Sequence, residues 1–414
     1  MLLQDLHLGA LPYLERYVNN GSPSGFTTRY TTSPDTSPFS LKPFIHPYVC
    51  AAQDQSFINF GRLPNFEGLS ELRGKNWLLI HPDMKDEKIF HGKNVSLIPS
   101  TEIGLIPTAS GRTLELISSL NRGYFKLHYD GIIGRIPREL NFKKAVAGPE
   151  ISKLLVSLID QNKLDSRLKL MRETGARVFL GTTRGKRKIE WGMVWREKDP
   201  YNVDFNKVKY IIPVFSLFAT DRLAKKDKPL LEQIIKLKGV PPVGYVLEQL
   251  IFPMIDCYFN LIQQSGIQPE WHAQNLLVGF TEDFTPVNFI MRDLESMDKD
   301  LTFMQMLNLK VEFQSYPFKC IWKDQWNYKI KHSFMYDYKF GEYILQPLLN
   351  FLKKSFEIET SCLNLDIKHY SKTLINEFPK DFFPKDWYVF KKVLIDQSTD
   401  SRPYVKKRNP KFRF

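Results

Sequence analysis

The chain has 414 residues, of which 43% are apolar and 25% charged, a composition typical of globular proteins that bury a core. This length favours two or three structural units. The net charge of +13 suits acidic partners, but the basic residues are scattered and no RNA-binding signature or zinc-finger spacing accompanies them. We therefore expect small anions as partners and no nucleic acid.

The first 100 residues predict an irregular arm followed by strands. Residues 1–5 have no basic stretch before their apolar side chains, which argues against a signal peptide. Residues 20–43 are rich in Ser, Thr, Pro and Gly, which is typical of irregular structure. Short apolar runs between Gly and Pro over 75–100 indicate strands. We expect 1–43 to be a short N-terminal arm.

Residues 44–200 predict an α+β domain. The predicted elements are a short helix over 112–121, a strand over 124–129, a helix opening at Pro149, and strands over 176–181 and 189–196 joined by a basic turn. A shift in composition near 200–230 is the one candidate domain boundary in the sequence. The fold class expected for the whole chain is α+β.

Residues 201–414 predict a largely helical domain that contains one β-hairpin. Apolar residues recur at helical spacing from about 229, and 247–262 reads as a buried helix. That segment contains Glu248, Asp256 and Asn260, so it is too polar and too short to span a bilayer. The hairpin is predicted over 275–292, and 300–400 is mostly helical. No membrane partner is expected.

The four cysteines predict neither a metal centre nor a disulfide framework. They are widely separated and form no CxxC pair: Cys50, Cys257, Cys320 and Cys362. This usage is typical of a reducing cytosol, and we expect a cytoplasmic protein. The sequence leaves a homodimer open.

A first constellation of polar residues lies at 110–113, with the sequence Ser-Gly-Arg-Thr. A hydroxyl and guanidinium cluster at a helix start offers donors to an anion. Lys126 follows in the next predicted strand and Arg138 comes 12 residues later. Arg112, Lys126 and Arg138 can converge on one phosphate chain. The alternative is an N-capping Ser110 with surface cations.

A second constellation lies at the open ends of the predicted hairpin. A symmetric hairpin centred near residue 284 would place Asn275 opposite Asp293. An amide oxygen and a carboxylate together make a site for Mg²⁺, which would in turn hold ATP phosphates. The alternatives are a turn-capping Asn275 and an Asp293 paired with Arg292. A lone histidine is more often structural. His272 becomes a candidate for binding an acidic substrate or a phosphate only because of the polar residues around it in the sequence.

Several common catalytic motifs are missing from the sequence. It contains no GxxxxGK[ST] phosphate loop, no GxGxxG after a strand, no HExxH and no GxSxG elbow. These absences leave the P-loop, dinucleotide-binding and serine-hydrolase classes without support.

The two constellations belong to an ordered set of short motifs. The set comprises His81-Pro82, Ser110-x-Arg112-Thr113, Lys126, Arg138, Gly148-Pro149, Arg196-Glu197, Gly266-Ile267, Glu270-x-His272-x-Gln274-Asn275 and Arg292-Asp293. In this order, over roughly 75–300, the chain resembles the aerobactin-synthetase type of enzyme, the siderophore synthetases that work without a nonribosomal peptide synthetase.

The resemblance implies a hand-like fold and an ATP-dependent ligase. It implies fingers over 44–200, a palm over 201–414 and a reduced thumb over 1–43. It implies that a citrate-like polycarboxylic acid is activated as an acyl-adenylate with ATP and Mg²⁺, and that an amine or hydroxyl then attacks, as in iron acquisition. The implied phosphate-binding residues are Ser110, Arg112, Thr113 and Lys126. The acid would bind Arg138 and His272, and Mg²⁺ would bind Asn275 and Asp293, with Glu270 and Gln274 alongside.

The sequence also departs from the family pattern. Members usually carry a long N-terminal thumb before a Gly-His-Pro-x-His-Lys motif, whereas 45 residues precede His46 and the second His and the Lys are missing. Gly134 stands where a Thr is usual. Two alternatives therefore stay open: a family member that only binds ligand, and a small-molecule kinase. Such a kinase would place a catalytic Asp where this chain has Ala273 and Gln274.

Overall fold

The computed structural model describes residues 1–22, 33–52, 56–64, 76–90, 95–118, 121–133, 136–182, 188–325, 328–391 and 404–413. Its helices are α1 Leu11–Tyr17, α2 Phe142–Asp160, α3 Val214–Phe218, α4 Leu230–Lys238, α5 Pro242–Val246, α6 Phe252–Ser265, α7 Leu301–Met306, α8 Tyr328–Ser333, α9 Gln346–Phe356 and α10 Ser361–Ile375. The π-helical segment Leu247–Ile251 joins α5 to α6, and Phe334–Leu345 joins α8 to α9.

The chain also contains many strands, so the predicted α+β fold class is confirmed. They are β1 Tyr48–Ala52, β2 Phe57–Gly61, β3 Trp77–Ile80, β4 Val95–Pro99, β5 Leu105–Pro107, β6 Thr113–Leu116, β7 Gly123–Leu127, β8 Tyr129–Ile133, β9 Ile136–Arg138, β10 Leu168–Leu170, β11 Glu173–Thr182, β12 Lys188–Glu197, β13 Tyr210–Pro213, β14 Ile267–Gln268, β15 Leu276–Phe280, β16 Pro286–Met291, β17 Asp298–Asp300, β18 Cys320–Ile321, β19 Trp387–Lys391 and β20 Tyr404–Arg408.

A six-stranded antiparallel sheet carries the first constellation. Its strand order is β2-β11-β12-β7-β6-β5, and a three-stranded sheet of order β3-β1-β4 packs against it around a shared apolar core. The predicted strands over 124–129, 176–181 and 189–196 are confirmed, although 183–187 of the predicted turn lie outside the described residues. All of β7 is buried, so any charged group on it must find a partner.

The helix predicted over 112–121 is wrong. Residues 113–116 form β6, which lies between β5 and β7 and pairs Thr113 with Lys126. All four residues of β6 are buried because the strand has neighbours on both sides, so Leu114 and Leu116 follow a strand period. Residues 119 and 120 lie outside the described part of the chain, as do 23–32 of the predicted arm.

The helix predicted to open at Pro149 begins seven residues earlier. Asn141 caps α2 by accepting from the Lys144 N–H at 3.1 Å, and Pro149 lies inside the helix. The cap fixes the start because its side chain satisfies one of the otherwise unpaired N–H groups of the first turn. The C-terminal half of α2 enters the same core as α4, α6 and α9.

The predicted hairpin is confirmed, but its predicted register is wrong by one residue. Strands β15 and β16 pair Leu276 with Met291, which brings Asn275 opposite Arg292 and leaves Asp293 one residue beyond. Phe280 pairs with Pro286, so the turn is centred near residue 283, and an irregularity at Gly279–Phe280 offsets only part of this difference. The hairpin lies in a four-stranded sheet of order β10-β16-β15-β13.

The segment predicted as a buried helix, 247–262, is helical and lies in the largest apolar core. Within the described residues, no helix combines the length and the apolar character needed to cross a membrane. Helix α1 also contributes Leu14 to this core. The division of the chain near residue 200 stays a prediction.

Candidate active site

The predicted phosphate-binding segment, 110–113, is a tight turn between β5 and β6. Thr108 Oγ1 donates to the backbone oxygen of Thr113 at 2.7 Å, and Ser110 Oγ accepts from the Thr113 N–H at 3.0 Å. Gly111 has a φ of +76°, a left-handed conformation that favours glycine. The hydroxyl of Ser110 therefore closes a turn, and no helix start lies here.

Lys126 joins the six-stranded sheet to the end of the hairpin. It lies on β7 with 2% of its side chain exposed, and its Nζ contacts Asp293. The same Nζ lies 2.6 Å from Glu295 Oε2 and 3.9 Å from Glu173 Oε1. Burial lowers the pKa of Lys126, but these three carboxylates outweigh burial and raise it. The ammonium is therefore charged, and it faces the C-terminal half of the chain.

Two arginines extend this set of charges. Arg196 Nη2 lies 2.7 Å from Glu173 Oε1 and 3.2 Å from Asp293 Oδ1. Arg112 Nη2 lies 3.6 Å from Glu295 Oε2. We call the six residues together the ionic cluster: Arg112, Lys126, Glu173, Arg196, Asp293 and Glu295.

Asp293 is the member of the ionic cluster that opens most to solvent. Its side chain keeps 29% of its exposure, whereas Glu295 keeps 11% and Glu173 none. Its backbone is left-handed, with φ of +63°, directly after β16. Burial raises the pKa of Asp293, but Lys126 and Arg196 hold it well below its usual range. An ionised, partly accessible carboxylate of this kind can bind a hard cation.

Arg138 is a cation that forms no ion pair with a carboxylate among the described residues. Its backbone oxygen accepts from Arg112 Nη1 at 2.8 Å, and its own Nε donates to the Ile133 oxygen at 3.3 Å. Among the described residues, no carboxylate lies within 4.0 Å of its guanidinium. Burial, followed by the charge of Arg112, lowers its pKa. Arg138 is thus a partly buried cation suited to an anionic ligand.

Glu270 and His272 lie beside this cation. Burial raises the pKa of Glu270, but Lys339, Lys319 and His272 lower it to about 2, and Lys339 Nζ contacts its carboxylate. Burial and then Lys339 lower the pKa of His272 to about 3, so the imidazole is neutral near pH 7. Its Nδ1 accepts from the Gln274 N–H at 3.3 Å, which places the remaining hydrogen on Nε2 as a donor.

Asn275 does not share a contact with Asp293. Its side-chain nitrogen donates to the Glu270 backbone oxygen at 3.3 Å, and its backbone pairs with Arg292. The expected cross-strand pair of Asn275 and Asp293 is therefore not formed. The carboxylate nearest to Asp293 in the chain is Glu295, which shares Lys126 with it.

Sequence reasoning missed Glu173 and Glu295 as site residues and noted Arg196 only as a strand end. A signal for the first existed in the sequence. Extending the predicted strands over 176–181 and 189–196 by a few residues pairs Glu173 with Arg196 across the sheet. Glu295 follows Asp293 by two residues but carries no motif of its own. Gly134, the departure noted in the sequence, lies outside the described residues.

The donor set fits a metal that arrives with its own oxygen ligands. In the described part of the chain, no group of three or more His, Cys, Asp or Glu side chains is arranged to hold a metal ion. Asp293 and Glu295 both approach Lys126, so two carboxylates lie close together at one cation. Mg²⁺ is commonly bound by one or two carboxylates together with substrate phosphates and water, so these residues suit it.

Buried neutral histidines predict a loss of stability in mild acid. Burial lowers the pKa of His81 to about 4, and of His128 and His272 to about 3, from a usual 6.5. Below pH 6.5 these histidines bind protons in the unfolded chain but stay neutral in the folded chain. The stability that is fully present above pH 6.5 is therefore lost as the pH falls. Each histidine costs about 2 kcal/mol by pH 5.

The free energy of unfolding, measured by urea denaturation at pH 7, 6 and 5, is expected to follow this fall. Unfolding should take up at least three protons near pH 5, because burial also lowers the pKa of His332, and about one fewer in His272→Gln, because glutamine does not titrate. Glu270 acts in a lower window, since its stabilising charge is lost only as the pH falls from 4.5 towards about 2. A free energy that stays constant between pH 7 and pH 5 would contradict the burial of these imidazoles.

Comparisons with known proteins show similarity in part of the sequence and in the fold. Residues 77–219 match the sequence model of the IucA / IucC family. The petrobactin biosynthesis protein AsbB from Bacillus anthracis str. Sterne has a similar structure, with a TM-score of 0.78 and 16% identity over 99% of this chain and 75% of that chain. No curated protein matches in sequence.

Two synthetase structures from a hypervirulent pathotype of Klebsiella pneumoniae are also similar. Aerobactin synthetase IucC gives a TM-score of 0.67 and 13% identity over 91% of this chain and 72% of that chain. ATP-bound aerobactin synthetase IucA gives a TM-score of 0.63 and 14% identity over 94% of this chain and 78% of that chain. Identities this low show a shared fold, and the sequence match covers the segment that holds Arg112, Lys126 and Arg138. Residues 77–219 are thus similar in sequence to the IucA / IucC family, and the chain shares its fold with the petrobactin and aerobactin proteins.

Proposed function

We propose that this protein is an ATP-dependent ligase that activates a small polycarboxylic acid as an acyl-adenylate and condenses it with an amine or hydroxyl in siderophore assembly. The observation that carries the proposal is the contact of Lys126, from the six-stranded sheet, with Asp293 at the end of the hairpin. It unites the predicted phosphate-binding cations and the predicted metal ligand in one site. An aerobactin synthetase of the same fold has been solved with ATP bound, which supports a nucleotide here.

The phosphates of ATP would be held by Arg112 and Lys126, with the hydroxyls of Ser110 and Thr113 beside them. Asp293, together with Glu295, would hold Mg²⁺, which supplies positive charge that the phosphate oxygens share. The ionic cluster contains three cations and three carboxylates, so without further cations it cannot balance a polyanionic triphosphate. This balance is a second argument for a metal requirement.

The acid substrate would be held by Arg138 and His272. Arg138 offers a partly buried guanidinium without a carboxylate at short range, and His272 offers a neutral Nε2–H donor. Both groups strengthen their bonds to oxygen in a buried site because water does not compete there. Gln274 and Asn275 would line the same end of the hairpin, with Glu270 fixing the position of Lys339.

The reaction follows from these positions. A carboxylate oxygen of the acid forms a bond to the α-phosphorus as the bond to pyrophosphate breaks, and negative charge builds up on the phosphorus oxygens. Arg112 and Lys126 stabilise that charge because they are fixed by their contacts before the reaction begins. The amine or hydroxyl then attacks the acyl carbon, AMP leaves with its bonding electrons, and the nucleophile gives up its proton.

The nucleotide product tests this proposal. Purified protein is incubated with ATP, Mg²⁺ and a panel of polycarboxylic acids and amines, and the products are read by mass spectrometry. The proposal predicts AMP, pyrophosphate and an amide or ester, with no turnover when the acid is left out. ADP as the product would identify a kinase instead, and binding without turnover across the panel would identify a protein that only holds ligand.

A further inference from the structure

Helix α1 brings a buried carboxylate to the back of the site. Glu15 is 1% exposed, although it lies on a seven-residue helix near the start of the chain. One of its oxygens, Oε2, accepts from the Ala109 N–H at 3.1 Å. The other, Oε1, lies 2.6 Å from Arg292 Nη1. One carboxylate therefore holds two segments that are far apart in sequence.

Both of those segments carry proposed site residues. Ala109 directly precedes the turn that contains Ser110 and Arg112, and Arg292 directly precedes Asp293. Arg292 is itself fixed to the other strand of the hairpin, because its Nε donates to the Gln274 oxygen at 2.8 Å. Glu15 thus ties the predicted phosphate-binding turn to the open end of the hairpin, where Arg292 also bonds the other strand.

The helix that carries Glu15 is firmly anchored. Leu14 is 1% exposed in the largest apolar core. Asn19 donates from its side chain to the Glu15 backbone oxygen at 2.9 Å, and its own Oδ1 accepts from Arg222 Nε at 2.6 Å. Arg16 donates to the backbone oxygens of Pro38 and Lys42 at 3.0 and 2.8 Å. A carboxylate on such a support can fix the distance between the groups that it bonds.

We propose that Glu15 is a positioning residue that sets the Ser110–Thr113 turn at its working distance from Asp293. The inference rests on the proposed function, because positioning matters only if the turn and Asp293 act on one substrate. Only a carboxylate serves both partners at once. A glutamine has a single acceptor oxygen, and its NH₂ group would face either the Ala109 N–H or the Arg292 guanidinium.

Glu15→Gln keeps the size of the side chain and removes one of the two bonds. We expect kcat/KM for ATP in acid-dependent pyrophosphate exchange to fall by about 10- to 100-fold, because a displacement of about 1 Å can have that effect. Affinity for adenosine, which has no phosphates, should stay unchanged. Glu15→Asp keeps the charge on a shorter side chain and should recover part of the loss.

Hydrogen exchange measured by mass spectrometry gives a readout that does not depend on turnover. In Glu15→Gln, exchange should accelerate in peptides covering 108–113 and 274–293 and stay unchanged over α10. The control is Asp165→Asn, since Asp165 also bonds a backbone N–H and a guanidinium, at 2.9 and 2.6 Å, but both belong to the nearby Arg167, away from the site. That variant should leave both peptides and kcat/KM as in the unmodified protein.

The outcomes separate this inference from the ligase proposal. Unchanged exchange in both peptides of Glu15→Gln would overturn the positioning role, as would an equal loss of affinity for adenosine and ATP. If the unmodified protein shows no acid-dependent turnover, the ligase proposal fails, and the hydrogen-exchange comparison alone then decides whether Glu15 holds the two segments together.

Discussion

Arg138→Gln is expected to reduce acid-dependent pyrophosphate exchange by about 100- to 1,000-fold without loss of stability. The loss follows because a partly buried guanidinium that binds the carboxylate of the acid contributes more than it would in water. Stability should be unchanged or higher because no carboxylate among the described residues lies within 4.0 Å of Arg138, so its removal leaves no buried anion unpaired.

The control for this prediction is Arg177→Gln. Arg177 lies on β11, bonds the Asn59 side chain and the Trp77 oxygen at 2.6 and 2.9 Å, and has its pKa lowered by burial like Arg138. It makes no contact with the ionic cluster, so exchange should stay within about twofold of the unmodified protein. Equal losses in the two variants would remove Arg138 from the site, and an intact rate in Arg138→Gln would do the same.

Asp293→Asn is expected to lower the exchange rate by about 100- to 1,000-fold at a fixed Mg²⁺ concentration, because the proposed metal site loses its accessible charged ligand. The fold should survive, since Lys126 keeps Glu295 at 2.6 Å and Arg196 keeps Glu173 at 2.7 Å. A titration of the rate against Mg²⁺ should move to higher concentrations, which a purely structural loss would not cause.

Asp283→Asn is the matched control on the same hairpin. Asp283 lies at the opposite end of the hairpin, where it pairs with Lys238 at 2.9 Å and keeps 68% of its exposure. This change should leave both the rate and the Mg²⁺ titration unaltered. If Asp293→Asn also shows the unmodified Mg²⁺ dependence, the carboxylate does not hold the metal.

The hairpin shows how far periodicity alone could predict the fold. Alternating apolar runs around a polar turn located β15 and β16 correctly. The register was wrong because the turn is centred about one residue earlier than expected, and the hydrophobic pattern does not show the exact centre of a turn. As a result, Asn275 was expected to face Asp293, while it faces Arg292. One residue of error was enough to change the predicted metal ligands.

The helix predicted over 112–121 was wrong for a different reason. Leu114 and Ile117 have helical spacing, but Ile117 is 49% exposed and the strand residues before it are buried. The neighbours β5 and β7 cover both edges of β6, and that information is tertiary. Burial of a short apolar run does not distinguish a helix from a central strand.

The sequence predicted three cations of the candidate site but not the carboxylates that pair with them. Arg112 stood out beside two hydroxyl residues at an expected helix start, and Lys126 and Arg138 because they follow it closely in the sequence. Which carboxylates compensate them depends on contacts over long sequence distances, such as the 167 residues between Lys126 and Asp293. Glu15 could not have been found at all, because its seven-residue helix carries no motif.

A crystal structure of the protein with Mg²⁺ and a non-hydrolysable ATP analogue tests the central claim most directly. We expect the phosphate oxygens within hydrogen-bond distance of Arg112 and Lys126, with Mg²⁺ bound between them and the Asp293 carboxylate. Phosphates bound elsewhere, with Lys126 still paired to Asp293 as in the unliganded protein, would show that the ionic cluster is structural and that this site does not perform the chemistry.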